Sequence, residues 1–183
     1  MESALKCFAE TDVESVSIAQ ICARSGASVG SVYHHFGSKE GIILALIADG
    51  LEAHLEALER SLTRAGSDPR QSIEAVVGSL IDWVEANPRW AMFIYANLNS
   101  GGASSAEPII EINRRYGQLI AGHFDPLIES GQIRRLPEEC WPSLIVAPLH
   151  DYARRWLRDQ VGHSPSRQRQ VFVDAAWRTV QPA

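Results

Sequence analysis

Residues Ser17–Lys39 read SIAQICARSGASVGSVYHHFGSK. Ser17 is placed to cap a helix, and Gln20 three positions later completes a capping box. Ile18, Ile21 and Cys22 follow at helical spacing, giving a short apolar face. Gly26 ends that helix, since glycine enters the left-handed conformation at little cost. Ser28 caps a second helix that runs through Val29, Val32 and Tyr33 to about Phe36. Gly37 stops it, and Ser38 caps a third helix beginning at Lys39. Two short helices joined by a tight glycine-containing turn form a helix-turn-helix unit.

Charge follows the same outline. Glu14 and Glu40 bracket a stretch without a single carboxylate, which holds Arg24, Lys39, His34 and His35. The second helix has no formal cation and offers hydroxyl, imidazole and small side chains. A helix that enters the major groove meets base edges with small or polar residues near its N-terminus. Ser28, Val29, Gly30 and Ser31 fit that task, with Arg24 beside them. Tyr33, His34 and Lys39 suit phosphate oxygens, which position a helix without reading sequence. Ser17, at the start of the first helix of the pair, completes the set of candidate DNA-contacting residues.

The order Ala23, Gly26, Ser28, Gly30, Tyr33, His35, Phe36, Ser38, Lys39, Glu40, with Ile42 or Ile43 in the last apolar place, resembles the N-terminal signature of TetR/AcrR-type transcriptional regulators. The usual valine before the serine is Ala27 here. The likeness covers some forty residues. It implies an all-α fold of about nine helices, with a three-helix DNA-binding domain over residues 1–46. A helical ligand-binding and dimerisation domain then occupies residues 47–183. It also implies a homodimer paired through the last two helices, a small-molecule effector and a palindromic double-stranded DNA operator. Members often carry a basic arm before the first helix. This chain opens at Glu2 almost inside that helix, which leaves two readings: no arm, or a late start.

The 183 residues are 45% hydrophobic and 21% charged, ordinary for a globular chain, with a net charge of −5. Residues 1–46 hold three cations against five carboxylates, so modest nonspecific DNA affinity and a shallow salt dependence are expected. No apolar run approaches the roughly 18 residues of a membrane span, and the first residues lack the basic start and apolar core of a signal peptide. Cys7, Cys22 and Cys140 are odd in number and far apart, which fits reduced thiols in a cytoplasmic protein. The chain contains no HExxH, GxSxG, phosphate-loop, paired CxxC or ExxH pattern. No catalysis, cofactor or metal is therefore expected.

Periodicity predicts helices over residues 2–10, 39–65, 71–86, 88–98, 108–130, 138–161 and 165–180. Gly50 interrupts the long fourth helix, at a cost of about 1 kcal/mol relative to alanine, as a close-packing point or a bend. The sixth helix is apolar nearly all round and reads as buried. Pro126 is expected to kink the seventh near Phe124. In the eighth, Trp141, Leu144, Ile145, Leu149, Tyr152 and Trp156, and in the ninth, Val171, Phe172, Ala175, Ala176 and Val180, fit either a dimer seam flanked by Arg154, Arg155 and Arg158 or a face packed within one chain. Trp83, Trp90, Phe93, Ile94, Tyr116, Ile120, His123, Phe124, Ile145 and His150 are candidate walls of an effector pocket, Tyr116 and the two histidines being its polar handles. Each of these residues is also an ordinary core residue by composition. The alternative to a regulator is a helical dimeric interaction module that has lost DNA binding.

Overall fold

The computed structural model describes residues 1–182. Among them are nine α-helices: α1 (Glu2–Glu10), α2 (Ile18–Ser25), α3 (Val29–Phe36), α4 (Lys39–Ala65), α5 (Pro69–Ala86), α6 (Pro88–Asn97), α7 (Glu107–Glu129), α8 (Ala147–Trp156) and α9 (Arg169–Val180). No described residue is in a strand, so the fold is all-α, as expected.

The first unit comprises Met1–Glu52 with Arg89–Asn113. Its caps are those the sequence dictates. The Ser17 amide donates to Gln20 Oε1 at 2.7 Å, and the Gln20 amide donates to Ser17 Oγ at 3.3 Å. Gly26 ends α2 at φ +73°, with its amide on the Cys22 carbonyl at 2.9 Å. Ser28 Oγ accepts the Ser31 amide at 3.1 Å, and Ser38 Oγ accepts the Gly41 amide at 3.2 Å. Leu5, Phe8, Val16, Ile21, Val32, Ile42 and Leu46 close the core beneath α2 and α3. Phe93 of α6 joins it, stacked on Phe8 at 5.6 Å between centroids. Trp90 donates its indole N–H to the Leu46 carbonyl at 2.7 Å. A Cβ on Gly50 would lie 2.5 Å from Trp90 Nε1, so this glycine serves close packing of α6 on α4. Helix α6 is not buried on all sides: Ala91, Phe93 and Ile94 are covered, while Met92 is 46% exposed. Only one face of the helix meets α1 and α4.

The second unit comprises Ala53–Pro88 with the residues from Arg114 onward. Helix α5 begins at Pro69, two residues earlier than periodicity suggested, because Asp68 caps it by accepting the Gln71 amide at 2.7 Å. Its Ile73, Val77, Ile81 and Val84 are fully buried. Arg70 pairs with Asp174 and Arg169 with Asp82, joining α5 to α9. The expected single helix over 138–161 is instead a turn, a π-helical turn at Pro142–Val146 and α8. Pro148 has no N–H for an α-type bond. The Ala147 amide reaches back to Pro142 O instead, and the wider turn absorbs the proline. Helix α8 stops at Trp156, and Asp159 takes a left-handed φ of +55° just beyond. The ninth element opens with a tight 3₁₀ turn, Pro165–Gln168, before α9. The boundary expected at residues 46 and 47 falls within α4, which runs unbroken through it.

Candidate functional site

Helix α3 turns one residue inward and most of the others outward. Val32 is buried in the core, whereas Ser28, Val29, Gly30, Ser31, Tyr33 and His34 are exposed. Val29 is 48% and Tyr33 51% exposed, large apolar surface on a helix of only eight residues. The helix therefore presents small side chains at its first turn and an aromatic hydroxyl and imidazole one turn later. That is the surface the sequence assigned to base edges and phosphates.

The two cations assigned to the same task are held elsewhere. Arg24 forms a two-pronged ion pair with Glu10, at 2.6 and 2.8 Å, and also reaches Cys7 Sγ at 3.8 Å. That guanidinium holds the Glu10 carboxyl below its ordinary range, chiefly by hydrogen bonding. Lys39 Nζ donates to three backbone carbonyls, Val13 at 3.0 Å, Glu14 at 3.0 Å and Val16 at 3.3 Å. Its ammonium thus clasps the 3₁₀ turn Val13–Ser15 that leads into α2. Ser17 spends its side chain on the α2 cap. A groove of about 1130 Å³ in this unit is lined by Phe8, Met92 and Phe93 with Glu10, Asp12, Glu14 and Glu40. Its four carboxylates outnumber the two cations that also line it, Lys39 and Arg89, which gives it the wrong sign for phosphate.

In the second unit the structure brings together Trp83, Tyr116 and His150 around a residue the sequence did not single out, His54. His54 Nδ1 lies 2.7 Å from the Tyr116 hydroxyl, and its ring is 5.8 Å from that of Trp83. Burial first, then nearby His150, push the His54 pKa down to about 3. Burial and then Arg154 push His150 down to about 4. Both rings are neutral at pH 7. The signal for His54 was present in the sequence, since it shares the α4 face of Leu51, Leu55 and Leu58 at helical spacing.

The other candidates are distributed more widely. His123 Nε2 meets Ser72 Oγ at 2.8 Å, and the Ser72 hydroxyl proton goes to the Asp68 carbonyl at 2.8 Å. His123 must then donate to Ser72, the reverse of what activating a serine nucleophile requires. Phe124 is buried beside His123 and Trp141. Ile145 is buried in the π-helical turn and Ile120 is half-buried on α7. Trp90, Phe93 and Ile94 pack in the first unit as described. Among the described residues no group of three His, Cys, Asp or Glu side chains is placed to hold a metal ion.

The first unit is all-helical, with an exposed, capped second helix in a helix-turn-helix. Residues 1–46 match the family profile described as bacterial regulatory proteins, tetR family. That match spans α1, α2, α3 and the start of α4. The chain is 33% identical over 78 residues to the HTH-type transcriptional regulator BetI of Stenotrophomonas maltophilia, covering 43% of this chain and 40% of that one. It is 25% identical over 136 residues to the HTH-type transcriptional repressor KstR2 of Rhodococcus jostii, covering 73% and 66%. The chain thus spans about two-fifths of the length of BetI and its counterparts. In fold it resembles the transcriptional regulator FadR from Bacillus subtilis, solved in complex with stearoyl-CoA. The TM-score there is 0.82, with 16% identity over 96% of this chain and 94% of that one.

Proposed function

We propose that this protein is a cytoplasmic, homodimeric repressor that binds a palindromic operator and leaves it when a small, largely apolar ligand enters the second unit. The observation that carries the reading is α3, capped by Ser28 and exposing Val29, Ser31, Tyr33 and His34 over an otherwise well-packed unit. Two such helices reach successive major grooves only if a dimer holds them about 34–36 Å apart. Leu144, 46% exposed, and Val171, 63% exposed, together with Ala175, are the apolar surface left on the last helical segments for that pairing. Ile145, Leu149, Ala176 and Val180 are spent within the chain. FadR, with stearoyl-CoA, and KstR2, named as a ketosteroid regulator, favour an effector with a large apolar body. The free thiols Cys7, Cys22 and Cys140 suit a reducing compartment. No helix of the described residues is long and apolar enough to cross a membrane.

Release requires that the ligand bind the DNA-free state more tightly than the DNA-bound one. Helix α4 begins at Lys39, next to α3 in sequence, and carries His54 further along. A ligand that shifts α4 therefore alters the spacing of the two recognition helices. Enrichment of bound sequences from a random DNA pool tests the reading. A palindrome is expected for the native protein and no enrichment for Tyr33→Ala or Ser31→Glu. Both substitutions lie on the exposed face of α3. The capture of Arg24 by Glu10 favours a second reading, a dimeric interaction module without DNA binding. A dimer in sedimentation with no sequence enriched at low salt would select it.

A further inference from the structure

We propose that His54 Nε2, set among Trp83, Tyr116 and His150, is the polar handle of the effector site and forms a hydrogen bond with a neutral group on an otherwise apolar ligand, accepting from or donating to a hydroxyl or donating to a carbonyl. The proposal rests on the effector reading above and names the chemistry of its recognition.

The argument begins with an orphan atom. His54 uses Nδ1 on the Tyr116 hydroxyl at 2.7 Å. Its Nε2 is buried and has no hydrogen-bond partner. Folded chains satisfy nearly all such atoms, and an unpaired one carries a desolvation penalty that nothing else here returns. A neutral imidazole has one N–H and one lone pair. The tyrosine hydroxyl can donate to Nδ1 or accept from it, so Nε2 is free to be either the N–H or the lone pair. An alcohol hydroxyl satisfies both forms, and a ketone satisfies the N–H form. Around it stand an indole at 5.8 Å and a phenol ring at 5.7 Å between centroids, surfaces suited to an apolar body. A carboxylate fits poorly. It could accept from an Nε2–H, but its buried charge would meet a neutral ring, because burial and then His150 oppose charge on His54, as burial and then Arg154 do on His150.

The test uses the full chain, labelled with ¹⁵N, and four probes that share one ring: cyclohexanol, cyclohexanone, cyclohexanecarboxylate and cyclohexane. Ring ¹⁵N resonances of His54 and the melting temperature are followed at pH 7.5. Cyclohexanol is expected to move the Nε2 resonance far more than Nδ1 and to bind roughly tenfold more tightly than cyclohexane, one hydrogen bond's worth. The carboxylate is expected to bind weakest, and the preference for the alcohol should vanish in His54→Phe. A saturating alcohol that leaves Nε2 unmoved overturns the assignment, as does tightest binding by the carboxylate. Nε2 satisfied by a trapped water gives that same unmoved resonance. The resonance is read on the native chain, so a poorly folding variant does not decide the outcome. Cyclohexane binding with no gain for the alcohol sinks this proposal and leaves the effector reading standing. If no probe binds, both fall.

Discussion

Lowering the pH from 7.5 to 5 should destabilise this protein before any carboxylate is involved, because two buried imidazoles refuse protons that the unfolded chain accepts. An ordinary histidine titrates near 6.5, whereas His54 and His150 are held down to about 3 and about 4. Their folded pKa values are depressed, so the unfolded state binds more protons at every pH below about 6.5, and stability falls as pH falls. The slope is about 1.4 kcal/mol per pH unit for each such proton. Over the 1.5 units between about 6.5 and 5, each ring then contributes about 2 kcal/mol, and the pair about 4 kcal/mol. Domains of this kind have only about 5–15 kcal/mol to lose. His123, also lowered by burial, adds in the same direction. The salt-bridged carboxyls Glu10 and Asp174 are lowered too, chiefly by their arginine hydrogen bonds, but they begin to matter only near their ordinary values of 4.5 and 3.8. Urea unfolding at pH 7.5, 6 and 5, followed by tryptophan fluorescence, measures the loss. Substituting His54→Gln should remove close to half of the slope. A midpoint that stays flat down to pH 5, or a slope unaltered by the substitution, would refute the reasoning.

Three further outcomes follow from single contacts. Lys39→Met should cost about 1.5–3 kcal/mol, the range for a charge-assisted hydrogen bond, read as a lower melting temperature even without DNA. Gly50→Ala gains helix propensity of about 1 kcal/mol. Its new Cβ nonetheless meets Trp90 at 2.5 Å and Ile94 at 2.7 Å, so a net loss in melting temperature is expected. Glu10→Gln should leave stability nearly unchanged, as exposed ion pairs contribute little. By releasing Arg24, it should also steepen the salt dependence of DNA binding by up to about one phosphate contact, as measured by anisotropy titration.

What could be read from the sequence is what is decided locally. The caps Ser17, Ser28 and Ser38 and the stops Gly26 and Gly37 act on amides within four residues, and all five stand as expected. Asp68 does the same for α5, where Pro69 at the first helical position hides the start of the apolar pattern. The site residues were legible as surface and not as partnership. Glu10 is fourteen positions from Arg24, and the carbonyls that engage Lys39 are 23 to 26 positions away. No local pattern announces such pairs. The same distance in sequence kept His54 from being joined to Tyr116, 62 residues on. The break before α8 was foreshadowed by Pro148, but a proline alone does not say whether a helix ends, kinks or widens into a π turn.

These contacts also bear on how such a protein can hold DNA. In the first unit Lys6 is paired with Glu2 at 2.8 Å, Arg24 with Glu10, and Lys39 with backbone carbonyls. Arg89 remains exposed, and its charge helps to lower the Glu2 and Glu10 carboxyls. Each phosphate neutralised by a cation adds about 0.9 to the salt slope. With three of its four Lys and Arg side chains engaged, this unit has little of that nonspecific term to draw on. On the proposed reading, affinity comes instead from the hydroxyls of Ser28, Ser31 and Tyr33, a ring N–H of His34, and the free amides at the start of α3, whose dipole favours phosphate. Such contacts are short-ranged and geometrically strict. On the proposed reading, a regulator built this way discriminates by fit and searches DNA weakly, so a small change in the spacing of two α3 helices should release it more completely than it would a protein held chiefly by cation–phosphate contacts.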